Sequence, residues 1–316
     1  MSTSPTSPTF PIVTSSSSSL SSSALKHAVS TGRLVRLRRG LYVPADIWDE
    51  DDSNPDALRK RHCLRAHAAT LAMRNAFASH HSAAALAGLP LWRPLPETPC
   101  ITLPRRSQSV GPDFHLHRAL APARHIQQGG GIRALSIART VLDIAREHGL
   151  RDAVVAGDYA LAQRLTTVEE LRRVSEECFK FPGIRRARHV ITLLDQTSES
   201  PLESVSRLVL NRLPFPKPQP QVVIRDRTDL FIGRVDFYWD ELGIVGEADG
   251  RSKYTDPEVL WREKRRQDEL MRTGLIVVRW TAVDLNDPSA LLRRLREAEA
   301  RAMLRAPGER QWRAMT

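Results

Sequence analysis

The apolar positions alternate between helical and strand periods along the chain. Residues 24–30 carry a short helical pattern that Gly32 stops, and RLVRLRRGLYVPA then sets Leu34, Leu37, Leu41 and Val43 against Arg33, Arg36, Arg38 and Arg39 as strand, Gly40 turn and strand. Residues 57–90 are rich in Ala and Leu and read as helical, with Ser79 or Ser82 as a cap for a second helix. From Cys100 to His117 the pattern is strand-like, SIARTVLDIAREHG is an amphipathic helix closed by Gly149, and another helical pair follows at 151–178.

The last third has the clearest order. Ser200-Pro201-Leu202-Glu203 is a capping-box pattern, and Val205, Leu208, Val209 and Leu213 follow at helical spacing until the proline-rich LPFPKPQP. QVVIRDR is a strand, and GRVDFYWDELGIVGEADG reads as two strands about a turn at Asp240-Glu241. Asp256-Pro257 opens a charged helix that Gly274 closes, LIVVRW is a buried strand, and Asp287-Pro288 starts a final helix. Strand, crossover helix and strand make a βαβ unit, most simply parallel.

These elements predict an α+β multi-domain chain. A disordered Ser/Thr/Pro tail at 1–9 is followed by a winged helix-turn-helix at 10–47, with a helix for the groove and a basic wing for phosphates. A helical-rich domain spans 48–195, an α/β domain 196–302 and a tail 303–316. The basic ribbon also reads as a hairpin edge blunted by charge.

Charge adds a partner class. The 316 residues carry 47 Lys+Arg against 36 Asp+Glu, a net +11, and all but six of those cations are arginine. A basic surface points to a polyanion, and guanidinium matches phosphate, although a GC-rich genome also raises arginine. No apolar run approaches the roughly 18–20 residues of a membrane span, and the N-terminus has no secretory pattern. Cys63, Cys100 and Cys178 make neither a disulfide framework nor a zinc spacing, so a reducing cytoplasm is expected. His80-His81 and the His115/His117 pair read as loose surface pairs rather than ligands.

Candidate chemistry sits on the hairpin. With Asp240-Glu241 as a two-residue turn, Asp236 faces Val245, Glu247 is its diagonal neighbour, and Asp249 falls on the same face. Three carboxylates along one side suit a hard cation that also holds a phosphate, Mg²⁺ or Mn²⁺. On the bland reading Glu247 and Asp249 point to water. Arg251, Arg262, Arg265 and Arg266 can hold a scissile strand, or form a salt-bridged surface helix with Glu263, Asp268 and Glu269.

Two resemblances extend this reading. Gly32-Arg33-Leu34 and Leu37-Arg38-Arg39-Gly40-Leu41-Tyr42-Val43 resemble the N-terminal winged helix of AbiEi-type antitoxins, and HHSAAALAGLPLW and SIARTVLDIA resemble the domain that accompanies it. Residues 200–285 resemble the very-short-patch-repair-endonuclease-like branch of the PD-(D/E)XK restriction-endonuclease superfamily. Glu203, Asp236 in RVDFYW, Glu247 and Asp249 in VGEADGRSKY, the helix REKRRQDELMRTG and the closing VVRW carry it.

The second resemblance implies that Asp236 and Glu247 are metal carboxylates and Glu203 a supporting acid. The superfamily's lysine position holds Asp249, and Lys253 follows on the loop as a substitute ammonium. The expected activity is Mg²⁺-dependent DNA cleavage. The alternative is a non-catalytic antitoxin or transcriptional regulator, with a toxin partner implied by the first resemblance.

Overall fold

The computed structural model describes residues 11–15, 20–48, 51–104, 109–111, 113–129, 131–250, 257–304 and 311–315. The predicted tail at 1–9 lies outside them. Within them the chain is mixed α+β, with ten α-helices and three sheets, and no helix is long and apolar enough to cross a membrane. It divides into two compact units, Met1–Leu194 and Asp195–Thr316.

The first unit opens with β1 (Val13–Thr14), α1 (Ser22–Ser30), β2 (Leu34–Arg38) and β3 (Leu41–Pro44), the strands forming a sheet of order β1-β3-β2. Ser21 caps α1 by accepting from the Ala24 amide, and Gly40 makes the β2–β3 turn with a φ of 77°. Then come α2 (Pro55–Ala72), β4 (Phe77–Ala78), α3 (His80–Leu86), β5 (Cys100–Leu103), β6 (Ser109–Val110), β7 (His115–Arg118), β8 (Ile126–Gly129) and β9 (Ile132–Leu135). Helices α4 (Ile137–Glu147), α5 (Leu150–Ala162), α6 (Val168–Glu177) and α7 (Ile184–Leu193) complete the unit.

The inner face of the ribbon shares its core with the helices and the larger sheet of this unit. Val43, with Val35 and Leu37 beside it, packs in one cluster with Cys63 and Leu64 of α2, Ala85 of α3 and Ile132 of β9. The six-stranded sheet has order β6-β7-β5-β4-β9-β8, in which β5 and β7 run parallel and pair Cys100 with His115 and Thr102 with His117. Both residues of each pair therefore share a face.

The second unit comprises α8 (Pro201–Leu210), β10 (Gln219–Asp226), β11 (Phe231–Trp239), β12 (Ile244–Ala248), α9 (Pro257–Arg272), β13 (Ile276–Trp280), α10 (Pro288–Met303) and β14 (Trp312–Met315). Its sheet has order β13-β12-β11-β10-β14, with β12 and β13 parallel. β14 falls within the expected tail at 303–316. It pairs with β10, and Trp312 enters the core with Tyr238, Val245 and Leu270 and donates to the Tyr238 hydroxyl at 2.6 Å. A single buried tryptophan in a short polar stretch is too weak a strand pattern to read.

The hairpin register also departs from expectation. Its loop is Asp240–Gly243 rather than two residues, with Gly243 at a φ of 55°, so Trp239 pairs with Ile244, Tyr238 with Val245 and Phe237 with Gly246. The next residues along the two strands are Asp236 and Glu247. The shift of two residues leaves every side chain on its expected face but brings these carboxylates opposite one another instead of diagonal. Gly246 is needed for packing: a Cβ there would lie 2.5 Å from the Trp280 ring and 2.9 Å from Trp239.

Candidate functional site

Asp236 and Glu247 stand on the two central strands of the second unit. Asp236 Oδ2 accepts from the Ala248 amide at 2.9 Å, which ties the two strands together just beyond their last backbone pair. Glu247 is buried and meets Arg266 of α9 in a bidentate pair, Nη2 to Oε2 at 2.6 Å and Nη1 to Oε1 at 3.1 Å. Arg266 Nη1 also donates to the Arg234 carbonyl at 3.3 Å. The guanidinium supplies the neutralisation that a buried carboxylate requires.

Asp249 continues β12, its amide bonded to the Trp280 carbonyl at 2.8 Å. Glu203 is occupied by its own helix end: Ser200 Oγ accepts from its amide and donates to Oε1 at 2.7 Å, while Oε2 accepts from the Glu199 amide and from Gln221 Nε2 at 2.7 Å. That is the capping box read from the sequence, with Gln221 added, and it assigns Glu203 a structural task. Asp236, Glu247 and Asp249 are not among the described groups of three whose ligand atoms gather within 4.8 Å. The pair Asp236–Glu247 supplies hard oxygen donors on neighbouring strands and in that respect fits Mg²⁺, which takes one or two carboxylates and keeps several waters. Lys253 and Arg251 lie outside the described residues, as does the side chain of Arg262; Arg265 is exposed.

The basic ribbon sorts into two sets. Arg33, Arg36 and Arg39 are exposed. Arg38 is not: a bulge between Arg36 and Arg38 re-aims it, so that it pairs with Asp113 at 3.4 Å and lies over the Phe114 ring at 4.8 Å. Alternation alone could not show that. Arg266 likewise belongs to Glu247 before any phosphate.

The first unit holds a polar cluster that spacing did not reveal. The pairs expected at the surface, His80-His81 and His115/His117, converge with Cys100 and with His148 at the α4 C-cap. His80, His81, Cys100 and His117 are buried; His115 and His148 are half-buried. Three overlapping groups, His80–His117–His148, His81–Cys100–His148 and Cys100–His115–His117, each have ligand atoms within 4.8 Å. The His80 and His117 rings stack at 3.7 Å.

Burial sets the protonation there. It holds His80 and His115 below the usual imidazole range, takes His81 down to about 4 against the opposing pull of Asp152, and takes His148 down to about 2 with help from the neighbouring imidazoles. Burial would raise the Glu147 carboxyl, but the hydrogen bond from His117 and the facing His80 imidazole hold it well below the carboxylate range. Burial pushes the Cys100 thiol up to about 12. Alongside runs a buried ion network, Arg139 to Asp143 at 2.8 Å and Arg146 to Asp143 at 2.5 Å.

No family model matches the chain. It is similar to two uncharacterized proteins of Mycobacterium tuberculosis, from strains CDC 1551 / Oshkosh and ATCC 25618 / H37Rv, each 27% identical over 171 residues. The match covers 54% of this chain and 63% of each relative.

Proposed function

We propose that this is a DNA-binding protein whose second unit is a restriction-endonuclease-like domain that cleaves phosphodiester bonds with Mg²⁺ or Mn²⁺. The meeting of Asp236 and Glu247 on adjacent central strands carries the reading. The element order α8, β10, β11, β12, α9, β13, with β12 parallel to β13, supports it.

In this reading Asp236 and Glu247 would hold the ion. Bound there, it would polarise the phosphate and lower the pKa of a coordinated water. Arg266 leaves Glu247 and turns its guanidinium to a phosphate oxygen, beside Arg265. Lys253 offers the ammonium that Asp249 does not, and Arg251 and Arg262 add charge along the strand. In the first unit α1 precedes the basic ribbon β2–β3, and in this reading Arg33, Arg36 and Arg39 of the ribbon lie on phosphates. The helical-rich remainder links the two, and the proposed compartment is the cytoplasm.

A second reading has its own observation. The Arg266–Glu247 pair neutralises the carboxylate without a metal, and with Asp249 at the lysine position this favours a non-catalytic scaffold in an antitoxin-like or transcriptional regulator, which would act with a toxin partner.

Incubation of the full chain and Mg²⁺ with duplex, single-stranded and branched DNA, and with RNA, separates the two. Cleavage of at least one DNA that is lost in Asp236→Ala and Glu247→Ala is expected. Intact nucleic acid throughout overturns the enzyme, and sequence-selective binding without cleavage establishes the regulator. In either case Arg36→Ala with Arg39→Ala should weaken binding and reduce its salt slope by about 2, as loss of two phosphate contacts requires.

A further inference from the structure

The histidine cluster of the first unit lies outside everything the nuclease reading uses. We propose that His80, His117 and His148 form a three-imidazole site for a divalent transition metal of the Zn²⁺ class, which fastens β7 and the start of α3 to the α4–α5 turn.

Geometry comes first: one ligand atom from each of the three lies within 4.8 Å of the others. Tetrahedral bonds of about 2.0–2.1 Å would set these atoms about 3.3 Å apart, so the rings close by at most about 1.5 Å. Lone pairs come second. His117 Nδ1 lies 2.8 Å from Glu147 Oε2, and since a carboxylate only accepts, Nδ1 carries a proton and Nε2 is the nitrogen left for a metal. That Nε2 is buried without a hydrogen-bond partner, as are Nε2 of His80 and Nε2 of His148. His80 spends its Nδ1 on Ser79 Oγ at 3.0 Å, and its Nε2 stands 3.6 Å from Glu147 Oε2, beyond hydrogen-bond length.

Buried nitrogens without hydrogen-bond partners are costly, and a cation takes all three once each turns its lone pair to it. The Glu147–His117 bond supplies the outer-shell carboxylate that fixes a ligand ring. Cys100, His81 and His115 border the same space.

The test uses the full chain, stripped with a chelator and titrated with Co²⁺, then with Zn²⁺, while visible absorption is followed. The expected result is a d–d absorption that saturates at one equivalent and is displaced by Zn²⁺. Glu147→Gln should weaken Co²⁺ binding about 10–100-fold, and His148→Gln, with unchanged circular dichroism, by more. Asp236→Ala, in the other unit, should leave the absorption as it was. Absence of a saturable absorption in the unaltered protein overturns the site whatever the variants do. So does an absorption that His148→Gln leaves intact or that Asp236→Ala removes.

Discussion

The carboxylate pair of the second unit and the histidine cluster of the first solve opposite electrostatic problems. Arg266 meets the buried Glu247 carboxylate with two hydrogen bonds. His80, His81 and His148 lose their charge because burial has removed the alternative. On the proposed readings the carboxylates would offer hard, anionic oxygen to Mg²⁺, and the desolvated imidazoles would offer uncharged nitrogen to Zn²⁺. The surroundings, not the presence of titratable groups, decide which ion each region can take.

The largest expected effect probes the charged groups beside the histidines. Asp143→Ala takes the paired carboxylate from buried Arg139, while Arg146 keeps Glu147, which should cost about 3–5 kcal/mol, read as a fall in the urea midpoint. A loss under about 1 kcal/mol would mean that the first unit tolerates buried charge and would break the contrast.

Next is acid. His62 is held to about 4 chiefly by burial, its Nδ1 donating to the Pro96 carbonyl and its Nε2 meeting Ser82 Oγ at 2.8 Å. A histidine depressed in the fold binds its proton more readily when unfolded. Its contribution is therefore full above about 6.5 and is lost as the pH falls towards 4, about 3 kcal/mol for this group. Melting temperature against pH should fall over that window and recover in part in His62→Gln; a flat profile would contradict it.

The smallest effect belongs to the second unit. Arg266→Ala should cost about 2 kcal/mol, since the pair is open to water on the Arg266 side, and added Mg²⁺ should recover part of the loss in thermal melts. Recovery sharpens the claim that one ion can stand in for the guanidinium. No recovery would favour the scaffold reading.

The two regions also differ in how far the sequence disclosed them. Asp236 and Glu247 lie on one hairpin, where a register shift of two keeps every side chain on its face, so the face was legible and only the register was off. The histidine cluster draws on residues 80–81, 100, 115–117 and 147–148, and the parallel β5–β7 pairing that joins them leaves no local periodicity. The charges of Arg139 and Asp143 were visible at helical spacing, but not that both would be fully buried. Arg38 shows a further limit: one bulged residue moved it from the phosphate-facing set to Asp113. Trp312 was unreadable as core because its strand partner lies some ninety residues away.

The most direct measurement is Mg²⁺-dependent DNA cleavage by three proteins side by side: the unaltered chain, Asp236→Ala and His148→Gln. The account predicts cleavage by the first, at least about 100-fold less by Asp236→Ala, and a rate in His148→Gln close to that of the unaltered chain. No cleavage by any of the three, or cleavage that survives Asp236→Ala and disappears in His148→Gln, would contradict it.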